Sequence, residues 1–582
     1  MTKKIKEEPR RAGGMALLDG VMMKSDIKSV CATKCLDGSI KIDELEKNDI
    51  LSNTKIKKIP ILRGIFAFVD SLVTGTKAMY ISASEIEFEE DEEKTETEKL
   101  SNFEIGMSFI IAMVLSVVLF IFLPNLISNF LFPIENTETK SLYNITEGII
   151  KMSLFVGYIL LISRMEDIKK TFRYHGAEHK SIMCLESGKK LNLENARKAT
   201  RFHPRCGTSF ILIVFIISLI IGYFIYFPVF WKRVISKVLL LPIIAGISYE
   251  FIMFSNKKDN LLTKIIKTPG LLMQRLTTRE PTDEELEVGI ASLYESLGEK
   301  EYISLKNMVK EYKEKYKVET NDLLRIIGKR LGMSKDEVYV KLNELQISYL
   351  DYINVKYMLE NYCVKHQPLQ YILGNQEFYG LDFNVEKGVL VPRADTEILV
   401  EDAIKIIDKN KYKTAMDICT GSGCIGISVA KKSKIEKVTL VDISNIAIRV
   451  ATTNTEKNEV KSKCKIIKSD LFTELKNKKV DIILSNPPYI KTWDISKLDE
   501  VVKNEPKLAL DGGDDGLEFY RKIAKEARTH LNDKGTLMFE IGYDQAKEVE
   551  QILSHFNEYK KIEILKDYGG NDRVVKCKYI KE

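Results

Sequence analysis

The chain has 582 residues, room for two to four domains, and a formal charge of +6 that argues neither for nor against nucleic acid. Nine cysteines lie scattered without paired metal-type spacing, apart from Cys31 and Cys35, which favours reduced thiols facing a cytosol. The basic start, ending in Arg10-Arg11-Ala12-Gly13-Gly14, does not read as a cleavable signal peptide.

In chain order, residues 1–104 read as a cytoplasmic N-terminal region, with the acidic run from Glu85 to Glu98 as a solvated face or loop. Residues 105–254 are very apolar and read as a membrane region with up to four spans. Ile105 to about Phe122 carries no charge. Tyr143 to Ser163 carries Glu147 and Lys151 near one end. Thr208 to Phe230 is again uncharged, and Val234 to Phe254 carries Lys237 and Glu250. These lengths approach the roughly 20 residues needed to cross about 30 Å of hydrocarbon. The competing reading is a set of core helices in a soluble protein. Lys and Arg crowd Arg164 to Arg205 and recur at Lys257, Lys258, Lys264 and Lys267, so both stretches are expected on the cytoplasmic side, with both termini inside. Lys232, Arg233 and Lys237 in the short outer turn conflict with that rule; a shallow hairpin would remove the conflict.

The loop 164–206 holds three of the six histidines. His175-Gly176-Ala177-Glu178-His179 has the H-x-x-E-H form, which on a helix puts both imidazoles on one face with Glu178 beside them. His203 and Cys206 follow just before the third apolar segment, and His with Cys suits zinc or another divalent metal. A hydrogen-bonded polar loop near lipid headgroups explains the same residues without a metal. Glu250, costly in lipid, is expected at this cluster or at the interface.

Residues 255–300 read as a cytoplasmic segment whose polar, acidic part, 282–300, is a linker. Residues 301–376 show helical spacing of apolar residues, as at Leu323, Leu324, Ile326, Ile327 and Leu331. From 377 to 582 strands and helices alternate. Thr414–Cys419, Lys437–Asp442, Cys464–Lys468, Val480–Ser485 and Gly535–Ile541 read as strands, which predicts an α/β, Rossmann-like, doubly wound parallel sheet. The whole is thus multidomain: a helical membrane part, a small helical bundle and an α/β domain.

The α/β part carries the chemistry. Cys419-Thr420-Gly421-Ser422-Gly423 follows a strand and opens a helix, where glycines let backbone approach a nucleotide-like ligand; alone this pattern fits NAD equally well. Asp442 ends the next strand and can accept hydrogen bonds from ribose hydroxyls. Ser469-Asp470-Leu471-Phe472 ends the third, where an acid and apolar groups can hold adenine. Asn486-Pro487-Pro488-Tyr489 ends the fourth. A planar NH₂ group is a poor nucleophile, so a site that methylates one must hold its two N–H bonds. The Asn486 oxygen and the Pro487 carbonyl can accept them, the prolines stiffen the turn, and Tyr489 supplies a wall. This order fits S-adenosyl-L-methionine rather than NAD. Arg393, Asp395 and Glu397 read as an ion-pair network supporting the site.

Residues from about 302 to 582 resemble the bacterial release factor glutamine methyltransferases (the HemK/PrmC family). The matching stretches are Pro368 to Gly374, Glu377 to Gly380, Val391 to Glu397, Pro506 to Gly513 and Asp515 to Leu517, beyond the motifs above. The resemblance implies methylation of the glutamine amide in the Gly-Gly-Gln loop of class-1 peptide release factors. It implies that Cys419 to Gly423, Asp442, Leu471 and Asn486 contact the cofactor and that Asn486 to Tyr489 receive the glutamine, with no direct nucleic acid. Leu471 stands where that family often has an aromatic residue. Methylation of adenine or cytosine in nucleic acid is the alternative by chemistry; it needs a flipped base and surfaces to hold it.

Residues from about 11 to 297 resemble a YqhQ-like group of bacterial membrane proteins, sometimes described as predicted metal-dependent enzymes. The match runs through Gly13-Gly14, Asp19 to Met23 (with Asp19 where Glu is typical), Arg63-Gly64, Tyr174 to Lys180, His203 to Phe210 and Pro269 to Pro281. The resemblance implies a multi-pass protein of the cell membrane with the methyltransferase in the cytoplasm. It leaves open whether this half is a metal-dependent enzyme or only an anchor.

Overall fold

The region ahead of the first apolar segment begins as sheet. In this computed structural model, which describes residues 12–35, 38–46, 59–85, 102–133, 137–224, 227, 229–257, 261–299, 301–475 and 478–581, strands β1 (Ala12–Ala16), β2 (Gly20–Ser25), β3 (Ser29–Lys34) and β4 (Ile40–Leu45) form an antiparallel meander. Most of the acidic run ending at Glu98 lies outside the described residues. All nine cysteines are free thiols, as expected. The chain divides into two units: Met1–Leu305 with Gln346–Asn354, and Lys306–Leu345 with Val355–Glu582.

In the first unit, α1 (Leu62–Glu85) packs on β3 and β4, where Ala78 joins Leu17, Met22, Cys31 and Leu45. Helix α2 (Asn102–Val117) runs through a π-helical turn, Val118–Phe122, into α3 (Leu123–Leu131), so the first apolar segment extends well past Phe122. Then follow α4 (Thr137–Ile162), α5 (Glu166–Glu186), α6 (Leu193–Lys198), α7 (Gly207–Phe224), α8 (Phe230–Lys257), α9 (Leu261–Thr277) and α10 (Asp283–Ser296). Among the described residues, four stretches are long and apolar enough to cross a membrane: Ile110–Leu131, Thr139–Ile162, Gly207–Phe224 and Phe230–Ser255. Their outer faces leave large side chains such as Leu161, Phe224 and Leu239 exposed.

Most of the stretch 282–300, expected as a linker, is instead the buried helix α10. Thr282 and Glu285 form a capping box at the start of α10. Leu286, Ile290 and Leu293, one face at helical spacing, are buried against β2, β3 and α5. Its acids made it look solvated, yet Glu285 is paired, Arg173 Nε donating to it at 2.7 Å. A short pair, β5 (Tyr302–Ser304) with β6 (Gln346–Ser348), completes this unit.

The second unit opens with α11 (Lys306–Tyr316), α12 (Thr320–Leu331) and α13 (Lys335–Lys341). It resumes at Val355 within α14 (Tyr349–Cys363) and continues through α15 (Leu369–Leu373) and the hairpin β7 (Asn375–Phe378) and β8 (Leu381–Asn384). Then α16 (Glu397–Asn410), β9 (Thr414–Ile418), α17 (Cys424–Lys432), β10 (Lys437–Asp442), α18 (Asn445–Lys457), β11 (Cys464–Lys468) and β12 (Val480–Ser485) alternate. After them come the short α19 (Glu500–Lys503) and α20 (Lys507–Leu510), then α21 (Glu518–His530), β13 (Leu531–Glu540), α22 (Ala546–Ser554), β14 (Tyr559–Lys566) and β15 (Asp572–Tyr579). The sheet order is β11-β10-β9-β12-β13-β15-β14. The expected parallel pairing holds from β11 to β13. The sheet is mixed rather than all parallel, because β14 and β15 pair antiparallel across the tight turn closed by Asp567 and Asn571. The order reverses between β9 and β12, so a ligand crevice is expected at the carboxyl ends of these strands.

Candidate functional site

The crevice is there, a cavity of about 300 Å³ at the strand ends of the second unit. Burial of Met416 and Ile418 fixes β9, and the chain then turns sharply: Cys419 sits at φ +59°, Gly421 at +55° and Gly423 at +83°. Beneath this loop, Asp417 Oδ2 accepts from Thr420 Oγ1 (2.6 Å) and Gly426 N (2.9 Å). Full burial pushes Asp417 up to about 7. Gly426 is there because a Cβ would lie 2.2 Å from Leu440 Cδ2, so only glycine lets α17 close on the sheet. Asp442, at the end of β10, accepts from Gly421 N and Ser444 N (2.8 and 2.9 Å), which aims the carboxylate at the cavity mouth; burial raises its pKa.

The cavity brings together Cys419 to Ser422, Asp442, Leu471, Asn486 and Pro488 of the expected residues. Gly423, Pro487 and Tyr489 are not in its wall. Leu471 lines it from a left-handed conformation, φ +47°. Phe519 and Lys522, on α21, also line it and were not legible, since α21 reads as an ordinary amphipathic helix.

The Asn-Pro-Pro-Tyr turn is held from outside by the segment after α20. Ile490 N donates to Leu510 O and Gly512 N to Ile490 O (2.9 and 2.8 Å). A Cβ at Gly512 would lie 2.7 Å from Tyr489 Cα, and one at Gly516 would lie 2.5 Å from Tyr489 O. Gln545 Nε2 donates to that same carbonyl at 2.9 Å. Asn486 Nδ2 faces Thr396 Oγ1 (3.4 Å), while among the described residues neither Asn486 Oδ1 nor the Pro487 carbonyl accepts a hydrogen bond. Beside Asn486 stands a residue that sequence reading took only as part of a strand, the buried Glu540. Burial pushes it up to about 7, against the pull of Thr396, Arg573 and Asn486. Arg393, Asp395 and Glu397 do form supporting interactions: Arg393 pairs with buried Glu505, Asp395 with Arg573 (3.3 Å), and Glu397 accepts from Tyr379 N (2.7 Å).

In the first unit, α5 gathers the histidine cluster. His175 Nδ1 and His179 Nδ1 face the carbonyls of Thr277 (2.8 Å) and Arg201 (2.6 Å). With each Nδ1–H donated to its carbonyl, both Nε2 lone pairs point inward. His175 Nε2 is 3.1 Å from Cys206 Sγ, and the ligand atoms of His175, His179 and Cys206 lie within 4.8 Å of one another. The His203 ring stacks near His179 at 5.6 Å. The Nε2 atoms of His179 and His203 and Oε2 of Glu178 are buried without hydrogen-bond partners. Burial raises the Glu178 carboxyl and lowers both imidazoles. Gly14 makes room, since a Cβ there would lie 2.8 Å from Glu178 Cγ. Glu250 is not part of the cluster. It pairs with Arg63 of α1, Nε to Oε1 at 2.6 Å, because it lies on the part of α8 that α1 crosses at Gly64 and Gly246.

The seven-stranded order, the acid ending β10 and the Asn-Pro-Pro-Tyr turn after β12 define a Rossmann-like methyltransferase. The family model described as methyltransferase small domain matches residues 395–497, and one described as a protein of unknown function (DUF1385) matches 59–299. A release factor glutamine methyltransferase of Clostridium acetobutylicum is 42% identical over 271 residues, 44% of this chain and 92% of that protein. Uncharacterized protein YqhQ of Bacillus subtilis is 36% identical over 301 residues, 50% of this chain and 93% of that protein. The crystal structure of a release factor-specific protein-(glutamine-N5) methyltransferase from Alicyclobacillus acidocaldarius is 28% identical, covering 34% of this chain and 100% of that one, with a TM-score of 0.23. The chain belongs to the release factor glutamine methyltransferase family through its C-terminal half and to the YqhQ family through its N-terminal half.

Proposed function

We propose that the C-terminal unit methylates the side-chain amide of the Gly-Gly-Gln glutamine in class-1 peptide release factors. The carrying observation is the pair of uncommitted acceptors, Asn486 Oδ1 and the Pro487 carbonyl, at the end of β12 beside the cavity. They match the two N–H bonds of a primary amide. S-adenosyl-L-methionine, when bound, supplies the electrophilic methyl. The residues fit it: Asp442 for ribose hydroxyls, the Cys419–Gly423 backbone for close approach, Leu471 and Phe519 for a flat apolar ring. Asn486 holds the amide plane, and its own Nδ2 is steered away by Thr396 and Glu540. Positioning of this kind supplies roughly 7–11 kcal/mol of barrier reduction. No strong base is required, because nitrogen loses its proton as the N–C bond forms. Transfer of radiolabelled methyl to a purified release factor, compared with its Gln→Ala variant, tests the reading; equal labelling of both sinks it.

The N-terminal unit supports a second reading: a multi-pass anchor in the cell membrane holding a divalent metal, with zinc favoured by its donors. The observation behind it is the inward-facing set His175 Nε2, His179 Nε2 and Cys206 Sγ, with the buried Glu178 and the His203 ring, its Nε2 3.6 Å from Glu186 Oε2, alongside. The Lys- and Arg-rich 164–206 stretch argues for placing this cluster and the methyltransferase on the cytoplasmic side.

A further inference from the structure

The apolar helices of the first unit enclose a second cavity, about 250 Å³, between α2, its π-turn, α4, α7 and α8. Its wall is apolar except for three serines, Lys151 and Lys237. The serine hydroxyls donate to carbonyls of their own helices, Ala112, Phe215 and Arg233. The two ammonium groups share one carboxylate: Glu147 Oε2 is 2.5 Å from Lys237 Nζ, and Oε1 is 3.5 Å from Lys151 Nζ. Glu147 Oε1 also takes Asn125 Nδ2 at 3.3 Å, and Lys237 reaches Asn125 Oδ1 at the same distance. Lys151 is 6% exposed, carries three N–H donors and, among the described residues, meets only that one distant oxygen.

A buried ammonium in hydrocarbon is costly unless paired, and such residues mark ligand sites. Two lysines against one glutamate leave a net charge of +1 facing an apolar chamber. The π-turn, a feature often found at functional sites, adds Phe120 and Ile121 to the wall. We propose that this cavity binds an anionic amphiphile, its acidic head on Lys151 and Lys237 and its acyl chain along Phe120, Phe215, Leu240 and Ile244. The shared chemistry is an anionic head on a hydrocarbon chain, which a free fatty acid or an acidic phospholipid supplies equally. The inference takes the membrane placement above as given and is independent of methyl transfer.

The test is equilibrium binding to the full chain in neutral detergent. The probes are a fluorescent fatty acid, a fluorescent lysophosphatidic acid and a fluorescent lysophosphatidylcholine. The expected result is saturable binding of one or both anionic probes, with the zwitterionic probe at least tenfold weaker. Fatty acid alone, phosphate alone or both identifies the source. Lys151→Gln is expected to weaken anionic binding at least tenfold and Lys151→Arg to keep it, with helix content by circular dichroism and elution in detergent unchanged in both variants as evidence of folding. Leu240→Trp, which fills the chamber, is expected to abolish binding even if Lys151→Gln does not fold. Equal binding of anionic and zwitterionic probes, no anionic binding, or wild-type binding by Leu240→Trp overturns the proposal. Membrane fractionation of cells separately tests the placement, so the two failures are distinguishable.

Discussion

The side chain of Asn486, just past β12, lies against the buried carboxyl of Glu540, the last residue of the neighbouring parallel strand β13. Glu540 Oε2 is buried without a hydrogen-bond partner among the described residues; ionised, it favours the Asn486 orientation that turns Nδ2 inward and Oδ1 outward, and protonated it competes as a donor. Burial has raised Glu540 from 4.5 to about 7, so kcat should rise with pH through about 7. Glu540→Gln should lower kcat and flatten that limb while leaving cofactor affinity near wild type. The group's contribution to stability has the opposite slope. The folded state keeps a proton that the unfolded chain releases above 4.5, so that contribution is present at low pH and is lost as pH rises through about 7. An unaltered pH profile in Glu540→Gln would exclude this positioning role.

Asn486→Ala should cost on the order of 10²-fold in kcat, the scale of a misplaced reacting group. Asp442→Ala acts on the other ligand. Losing hydrogen bonds to a charged carboxylate costs about 1.5–3 kcal/mol, so S-adenosyl-L-methionine should bind roughly ten- to a hundredfold more weakly. Calorimetric titration of the cofactor separates the two; similar cofactor affinities in both variants would contradict the assignment of Asp442.

Gly426→Ala should destabilise the sheet domain by about 1–3 kcal/mol through overpacking, since its Cβ would press on Leu440 and Asp417. Gly13, whose Cβ would meet nothing within 4 Å, is the control. The check is thermal unfolding followed through loss of methyl transfer, and equal midpoints for Gly426→Ala and Gly13→Ala would refute the packing argument.

What was legible in the sequence was local. Strands β10, ending at Asp442, β11, two residues before Asp470, and β12, just before Asn486, announce themselves because their apolar runs give way to polar residues, and four of the strands appear within a residue of where they are expected. Glu540 was hidden because its meaning comes from pairing with β12, a contact between residues distant in sequence. Gly512 and Gly516 matched a family block with no physical reason until Tyr489 was seen packed under them. Helix α10 is hidden for a different cause: the acids of 282–300 mask the face that Leu286, Ile290 and Leu293 share. In the histidine loop, the spacing of His175 and His179 is readable, but the carbonyls that turn the rings inward are not: Arg201 lies at the far end of the loop, and Thr277 comes from distant chain.

That inward turn makes the metal reading testable without knowing an activity. The full chain purified at neutral pH should carry stoichiometric metal by plasma mass spectrometry, with zinc expected. His175→Ala, His179→Ala and Cys206→Ser each remove one inward-facing donor and should leave it substoichiometric. Glu250→Gln should not, because that carboxylate belongs to Arg63 and not to the cluster. Its expected effect is instead on the docking of α1, seen as faster proteolysis of α1 with metal content unchanged. Metal absent from the wild-type chain, or lost equally on Glu250→Gln, would leave the cluster as a buried hydrogen-bonding motif and remove the metal from the account.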